Sequence, residues 1–137
     1  MAEALPVILS VRRNQLNHLL SRVTMMKLKY NGAEATESGD YYQLHFGEAG
    51  ESAVEGTPYS LIQRDFEDDS DLFYIETNDD SSIGHAKILQ ATLAPGSLYL
   101  KTKMHPWREI LIEFETSPLG YSELENVFKI MFEDVPA

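Results

Sequence analysis

Apolar side chains near the N-terminus recur at the spacing of one helix face. The positions are Leu16, Leu19, Leu20, Val23, Met26 and Tyr30. This period predicts an amphipathic helix over residues 14–30. Asn31-Gly32 follows, and such a pair often supplies the left-handed residue that ends a helix. Residues 1–11 are expected to form either a first helical turn or a short extended arm.

After residue 40 the hydrophobic period changes from helical to two, the period of a strand. Tyr42, Leu44 and Phe46 alternate with more polar side chains, and the pattern predicts about six strands, at residues 41–46, 58–66, 71–77, 85–93, 97–104 and 108–115. Residues 33–40 and 48–56 are polar and are predicted to be loops. Residues 85–93 also suit a short helix, but the short Ala94-Pro95-Gly96 link to a clear strand favours a hairpin.

A second helix is predicted at the C-terminus. Ser122-Glu-Leu-Glu125 fits a capping box, and Leu124, Val127, Phe128 and Met131 then share one face. The predicted fold class is therefore α+β, with a single antiparallel sheet of about six meandering strands between an N-terminal and a C-terminal helix. A length of 137 residues fits one domain over residues 1–137.

Several predicted strands carry large apolar or aromatic groups on both faces. The neighbouring pairs are Tyr41/Tyr42, Leu61/Ile62, Leu72/Phe73 and Leu98/Tyr99. Two helices would not cover so much sheet, and an uncovered apolar face usually marks a contact with another protein. We therefore expect a protein partner, and a homodimer as its simplest form.

The composition is acidic and unevenly distributed. The chain has 22 acidic and 11 basic residues, a formal charge of −11. Residues 32–84 hold fourteen acidic residues and one arginine, a net charge of −13, whereas residues 1–31 carry a net charge of +4. Such a surface repels nucleic-acid phosphates and anionic lipid, so we expect no nucleic-acid or membrane partner. The acidity instead favours either a basic protein partner or a role in solubility alone.

Other features exclude further classes of protein. The absence of cysteine excludes a disulfide scaffold, a cysteine-ligated zinc site and a thiol nucleophile. No apolar run reaches the length of about 18 residues that a membrane span needs. The apolar stretch near the start lacks preceding positive charges, so a signal peptide is not expected. We therefore expect a cytoplasmic protein.

Two acidic segments are candidate metal sites. Asp65, Glu67, Asp69 and Asp71 alternate in one turn and offer the oxygen ligands that Ca²⁺ prefers, but the glycine and final glutamate of an EF-hand loop are missing. A solvated hairpin tip is the favoured interpretation. The second segment holds Glu76, Asp79, Asp80 and His85, whose spacing fits no metal or acid–base motif. We expect no cofactor and no metal.

Motifs for catalysis are also missing. The sequence has no G-x-S-x-G and no phosphate-binding glycine loop, and no catalytic residue is predicted. The favoured function is a non-catalytic interaction module of the chaperone, immunity or adaptor kind. The chain resembles type III secretion chaperones in size and charge. The alternative is a small-ligand-binding domain or small enzyme with a pocket between helix and sheet, for which the candidate lining residues are Tyr42, Phe46, Tyr59, Tyr74 and Trp107.

Overall fold

The computed structural model describes residues 25–48, 57–65, 71–77, 84–103 and 107–137. These residues form eight strands and one helix. The strands are β1 (Met25–Lys29), β2 (Gly32–Glu37), β3 (Tyr41–Gly47), β4 (Ser60–Asp65), β5 (Leu72–Thr77), β6 (Gly84–Ala94), β7 (Ser97–Thr102) and β8 (Glu109–Glu113). The helix is α1 (Pro118–Met131).

All eight strands belong to one mixed sheet, in the order β1-β8-β7-β6-β5-β4-β3-β2. Strands β2 to β8 form an antiparallel meander in chain order. Strand β1 lies parallel to β8 at the other edge, with Met26 opposite Ile110. The two edge strands of the sheet are therefore consecutive in the chain.

This order requires the sheet to curl. Seven strand spacings would separate the edges of a flat eight-stranded sheet by about 33 Å. Only Tyr30 and Asn31 separate β1 from β2, and three peptide units span at most about 11 Å. The Tyr30 hydroxyl also lies 2.6 Å from the Ser60 hydroxyl at the start of β4, in a buried contact. The curled sheet thus has a concave inner face, which the strands themselves largely enclose, and a convex outer face.

The inner face holds the hydrophobic core. Every second residue of the central strands points inward, and the most deeply buried side chains are Leu44, Phe46, Ile62, Phe73, Ile75, Leu98, Leu100, Ile110 and Ile112. Aromatic contacts add to this packing: the Phe46 ring is tilted against Phe114 with centroids 5.2 Å apart, and the Phe73 ring stacks on Phe132 with centroids 4.8 Å apart. The strands predicted at residues 41–46 and 108–115 are confirmed as β3 and β8.

Helix α1 closes the open side of the core. Its N-cap is Ser117, whose hydroxyl accepts a hydrogen bond from the Gly120 amide at 3.0 Å. The helix packs against β2 and β3 and buries Leu124 and Met131 completely. On β2 the inward side chains are the small Ala33 and Ala35, which let the helix backbone come close to the strand.

The chain after α1 is held against the sheet by Arg64 of β4. Its guanidinium donates to the Met131 carbonyl at 2.8 Å and to both carboxylate oxygens of Asp134 at 2.7 and 2.9 Å. It also lies 4.6 Å from the centre of the Phe73 ring. The Arg64 hydrogen bonds hold the pKa of the Asp134 carboxyl below its ordinary value. Beyond this contact, the Pro136 carbonyl accepts a hydrogen bond from the Ala91 amide at 2.9 Å.

Residues 85–93 are confirmed as part of a strand. A register shift in the β6–β7 pairing lies between Ile88 and Gln90. This bulge changes which residues point inward, from Ala86 and Ile88 before it to Ala91 after it. The change of period explains why the segment also fitted a helix. Gly96, with φ of +90°, forms the predicted turn into β7.

The predicted fold class is wrong in three respects. The sheet has eight strands rather than six, it is mixed rather than antiparallel, and the described residues contain only the C-terminal helix. Residues 25–29 of the predicted helix 14–30 form β1, while residues 14–24 and the predicted arm lie outside the described residues. The predicted loop 33–40 largely forms β2. The last helix begins at Pro118, capped by Ser117, and not at Ser122.

The part of the chain that the structure describes contains no helix long and apolar enough to cross a membrane.

Candidate functional site

The outer face of the sheet receives one residue of each two-faced pair. Tyr42, Ile62, Phe73 and Leu98 turn inward, and their neighbours Tyr41, Leu61, Leu72 and Tyr99 lie on the outer face. Of these outer residues only Leu72, at 38%, is exposed to the degree of a surface residue, since the others are half-buried among their neighbours. The two-faced strands therefore leave little apolar surface fully exposed among the described residues, and a contact with another protein at this face stays a prediction.

A group of aromatic and ionisable side chains crosses β3 to β6 on this outer face. We call it the outer cluster, and it consists of His45, Tyr59, Tyr74, Glu76 and His85. The Tyr59 and His45 rings stack with centroids 6.0 Å apart, and the Tyr74 and His85 rings tilt against each other at 5.2 Å. Glu76 joins the two pairs through hydrogen bonds from both tyrosines.

Strand register builds the outer cluster. Tyr74 and Glu76 are two positions apart on β5 and so share a face. Across the sheet, Tyr74 lies opposite His85 of β6, while Leu61 of β4 lies opposite both Glu76 and His45. Tyr59 directly precedes β4, which brings its hydroxyl to the Glu76 carboxylate. Three consecutive antiparallel pairings thus assemble four side chains from β3, β5 and β6 with Tyr59, the residue before β4.

Glu76 is an anchored carboxylate. The Tyr59 hydroxyl donates to its Oε2 atom and the Tyr74 hydroxyl donates to its Oε1 atom, the latter at 2.5 Å. These two hydrogen bonds, from Tyr59 first and Tyr74 second, hold the pKa of Glu76 below its ordinary value. The hydrogen bond between Tyr74 and Glu76 also raises the pKa of the Tyr74 hydroxyl. Near neutral pH the site is therefore a fixed negative charge between two neutral phenol rings.

A simpler version of this arrangement lies on the other half of the outer face. The Tyr99 hydroxyl of β7 donates to Glu109 of β8 at 2.7 Å. Partial burial is the main reason that the pKa of Tyr99 is raised to about 12, and the hydrogen bond to Glu109 raises it further. Lys101 lies opposite Glu109 in the strand pairing. The Glu109 carboxylate therefore accepts a hydrogen bond from one tyrosine and lies opposite a lysine. The Glu76 carboxylate differs in both respects, because two tyrosines donate to it and no lysine lies opposite it in the strand pairing.

Charge also separates the two halves of the outer face. The described lysines that are exposed on β1 and β7 are Lys27, Lys29 and Lys101. Around the outer cluster the one lysine is Lys87 of β6, and its ammonium is paired with Asp71 at 3.0 Å. The side of the sheet built from β3 to β5 is consequently the acidic one.

An acidic cleft adjoins the outer cluster at the N-terminal end of α1. Its volume is about 450 Å³, and its charged and polar lining includes Glu34, His45, Glu48, Glu115 and Ser117. His45 therefore contributes to both the cleft and the outer cluster. We call this space the end cleft. It lies between the helix and the sheet, where the ligand-binding alternative placed a pocket, but none of the five aromatic candidates lines it.

The structure brings together only two of those five aromatic candidates, Tyr59 and Tyr74. Phe46 is completely buried in the core. Tyr42 and Trp107 are partly buried and pack against the core from other places. A second depression of about 250 Å³ is lined by Gln63, Asp65, Leu72, Tyr74 and His85, so Tyr74 also borders an indentation of the outer face.

The described acidic candidates do not form a cation site. Asp65 is exposed at the end of β4, and Asp71 pairs with Lys87, whereas Glu67, Asp69, Asp79 and Asp80 lie outside the described residues. Within the described ranges, no group of three or more histidine or carboxylate side chains is placed to hold a metal ion. Glu76 and His85, considered together in the sequence, do meet on one face, with Tyr74 between them.

The sequence carried only part of the signal for the outer cluster. Alternation places Tyr74 and Glu76 on one face, but Tyr59 and His45 join them through pairings that the sequence does not encode locally. The strands that carry His45 and His85, β3 and β6, are separated by β4 and β5.

Comparison of the chain with models of protein families and with curated proteins gives no match in either case.

Proposed function

We propose that the protein is a non-catalytic interaction module that binds a basic protein partner through the outer cluster. The observation that carries this proposal is the Glu76 carboxylate held between two tyrosines on an acidic, aromatic part of the outer face. Tyrosine is enriched at the centres of protein interfaces because it combines a large contact area with a polar end. Fixed negative charge adds attraction for a basic partner.

The core supports a binding surface rather than an internal pocket. Phe46, Ile62 and Leu124 have no exposed surface, and α1 occupies the open side of the curled sheet. The helix–sheet space is thus filled with packed side chains along most of its length. The side chains that are accessible to another molecule lie outside the core, on the outer face and in the end cleft.

The end cleft supports a second candidate function, the binding of a small cationic ligand. Three exposed glutamates and His45 line it, and its volume of about 450 Å³ suits a small molecule. The two candidates place their ligands at different positions, and only His45 is common to both. Variants of Tyr74 and Glu115 therefore separate them.

Association of two copies is a separate part of the proposal. Two outer clusters brought face to face would oppose two Glu76 carboxylates, which is unfavourable. A homodimer would therefore form through another surface and would leave the outer cluster accessible to the basic partner. The cytoplasm remains the expected compartment for this function.

Affinity capture with matched variants tests the proposal. Bait proteins are the full chain, a Tyr59→Ser/Tyr74→Ser double variant, a Tyr99→Ser variant and a Glu115→Gln variant, each immobilised at equal density in extract from the native host. We expect one or a few basic proteins to be retained by the full chain and by Tyr99→Ser and Glu115→Gln. The double variant should lose at least about nine-tenths of them, which corresponds to about 1.4 kcal/mol of binding.

Salt provides the second readout. Because the proposed contact is electrostatic, retention should fall as salt rises from low to moderate concentration. Equal retention by the full chain and the double variant would contradict the proposal. Selective loss with Glu115→Gln would instead support the end cleft.

A further inference from the structure

The Glu76 carboxylate has hydrogen-bonding capacity left on both oxygens. A carboxylate offers about four lone-pair positions. The Tyr59 hydroxyl takes one on Oε2, and the Tyr74 hydroxyl takes one on Oε1. The two tyrosines thus fix the plane of the carboxylate while each oxygen can still accept another donor. A planar acceptor with two free positions matches a guanidinium, which donates two parallel N–H bonds.

No basic side chain in the described ranges pairs with Glu76. The two ion pairs there join Arg64 to Asp134 and Lys87 to Asp71. Lys87 is on β6, but it lies opposite Leu72 at the far end of β5 from Glu76. The carboxylate is therefore desolvated in part by its surroundings and is not neutralised by the described part of the chain.

Aromatic rings continue the site on both sides of the carboxylate. The His45 and Tyr59 rings are nearly parallel, with 10° between their planes, and they lie on one side, while Tyr74 and His85 lie on the other. A guanidinium is planar and weakly hydrated and stacks well on aromatic faces, whereas an ammonium is compact and strongly hydrated. This combination of rings and carboxylate favours arginine over lysine.

We propose that the outer cluster is a receptor for an arginine side chain of the partner. The Glu76 carboxylate accepts two guanidinium N–H bonds, and the rings of Tyr59 and Tyr74 border the bound group. This inference rests on the proposed function and deepens it by naming the chemical group that the outer cluster recognises.

The Tyr99–Glu109 pair supplies the matched control. It presents the same carboxylate–phenol hydrogen bond on the same outer face, but with one tyrosine and with Lys101 opposite the carboxylate. Glu109→Gln and Glu76→Gln remove the same charge from the same face of the protein. A loss of binding caused only by the change in net charge would be equal in the two variants.

The experiment measures binding of defined peptides to the full-length protein by calorimetry. Three otherwise identical peptides carry arginine, lysine or the neutral isostere citrulline at their basic positions. We expect the arginine peptide to bind at least about tenfold more tightly than the lysine peptide, and citrulline to bind weakest. Glu76→Gln should weaken arginine binding by about tenfold to hundredfold, the size expected when a charge-assisted pair is lost.

Removal of the hydroxyls alone gives a sharper variant. Tyr59→Phe/Tyr74→Phe keeps both rings but frees the Glu76 carboxylate to rotate, so the preference for arginine over lysine should shrink while some binding of both remains. Glu109→Gln should leave the preference unchanged. Circular dichroism verifies that every variant is folded.

Three results would overturn the inference: no binding of the arginine peptide, equal binding of arginine and lysine, or equal losses with Glu76→Gln and Glu109→Gln. A different result would contradict the proposed function: a capture experiment in which no basic protein is retained, or in which retention does not depend on Tyr59 and Tyr74. Equal binding of arginine and lysine with a positive capture result would leave the function standing and remove the arginine receptor.

Discussion

Replacement of Phe46 by alanine is expected to destabilise the protein by about 3–5 kcal/mol, the usual cost of removing a buried phenylalanine ring. Phe46 has no exposed surface, and its ring is tilted against the Phe114 ring with centroids 5.2 Å apart. It lies on β3 between Ala33 of β2 and Ser60 of β4. The cavity would therefore open in the middle of the core, where neighbouring strands cannot collapse easily.

Chemical denaturation measures this effect as a shift in the unfolding midpoint at an unchanged slope. Phe46→Leu should lose only part of the stability, since most of the volume is kept. Tyr41→Ala, an outward residue on the same strand, should cost clearly less. A near-neutral Phe46→Ala variant would mean that this ring lines a ligand pocket rather than the core.

Replacement of Arg64 by alanine is the second large effect, with an expected loss of about 2–3 kcal/mol. Its guanidinium donates to the Met131 carbonyl and to both Asp134 oxygens and lies over the Phe73 ring. The side chain is only 17% exposed. The variant therefore leaves a helix-end carbonyl and a carboxylate without their donor and loosens the chain that follows α1.

The Arg64 effect depends on pH with a definite sign. The pKa of Asp134 is lowered in the folded protein, so its contribution is complete above the unfolded value near 3.8 and is lost as the pH falls through the folded value. The difference in the free energy of unfolding between the wild-type protein and Arg64→Ala should thus shrink below about pH 4. The part that remains comes from the contacts of Arg64 with the Met131 carbonyl and the Phe73 ring.

Lys87→Ala is the control for the Arg64 variant, because it breaks an ion pair whose two side chains are 46% and 58% exposed. Exposed pairs of this kind contribute little to stability. A loss with Lys87→Ala as large as that with Arg64→Ala would contradict the special role assigned to the Arg64 contacts.

The strands of the meander could be predicted because their alternation is strong. Tyr42, Leu44 and Phe46 show it clearly, as do Ile110, Ile112 and Phe114, and all six lie on the inner face. Strand β1 could not be separated from the preceding helical pattern, since Met26 and Tyr30 satisfy both periods. Pairing with β8, more than eighty residues later in the chain, decides the outcome for this segment.

Almost nothing in the local sequence pattern predicts strand β2 or the curl of the sheet. The inward residues of β2 are Ala33 and Ala35, so the segment resembles a polar loop, and it becomes a strand because β3 pairs with it and α1 packs on it. The curl follows from placing β1 and β2 at opposite edges although they are adjacent in the chain. That placement is a property of the whole sheet, as is the meeting of Tyr59 with Glu76.

Chemical-shift mapping of the isotope-labelled full-length protein during titration with the arginine peptide tests the central claim most directly. We predict that the perturbed amides cluster on β3 to β6 around Tyr59, Tyr74 and Glu76, with the core amides of Leu100 and Ile110 unchanged. Perturbations centred on the end cleft at Asn31 and Glu115, or spread through the core, would contradict an outer-face interaction module.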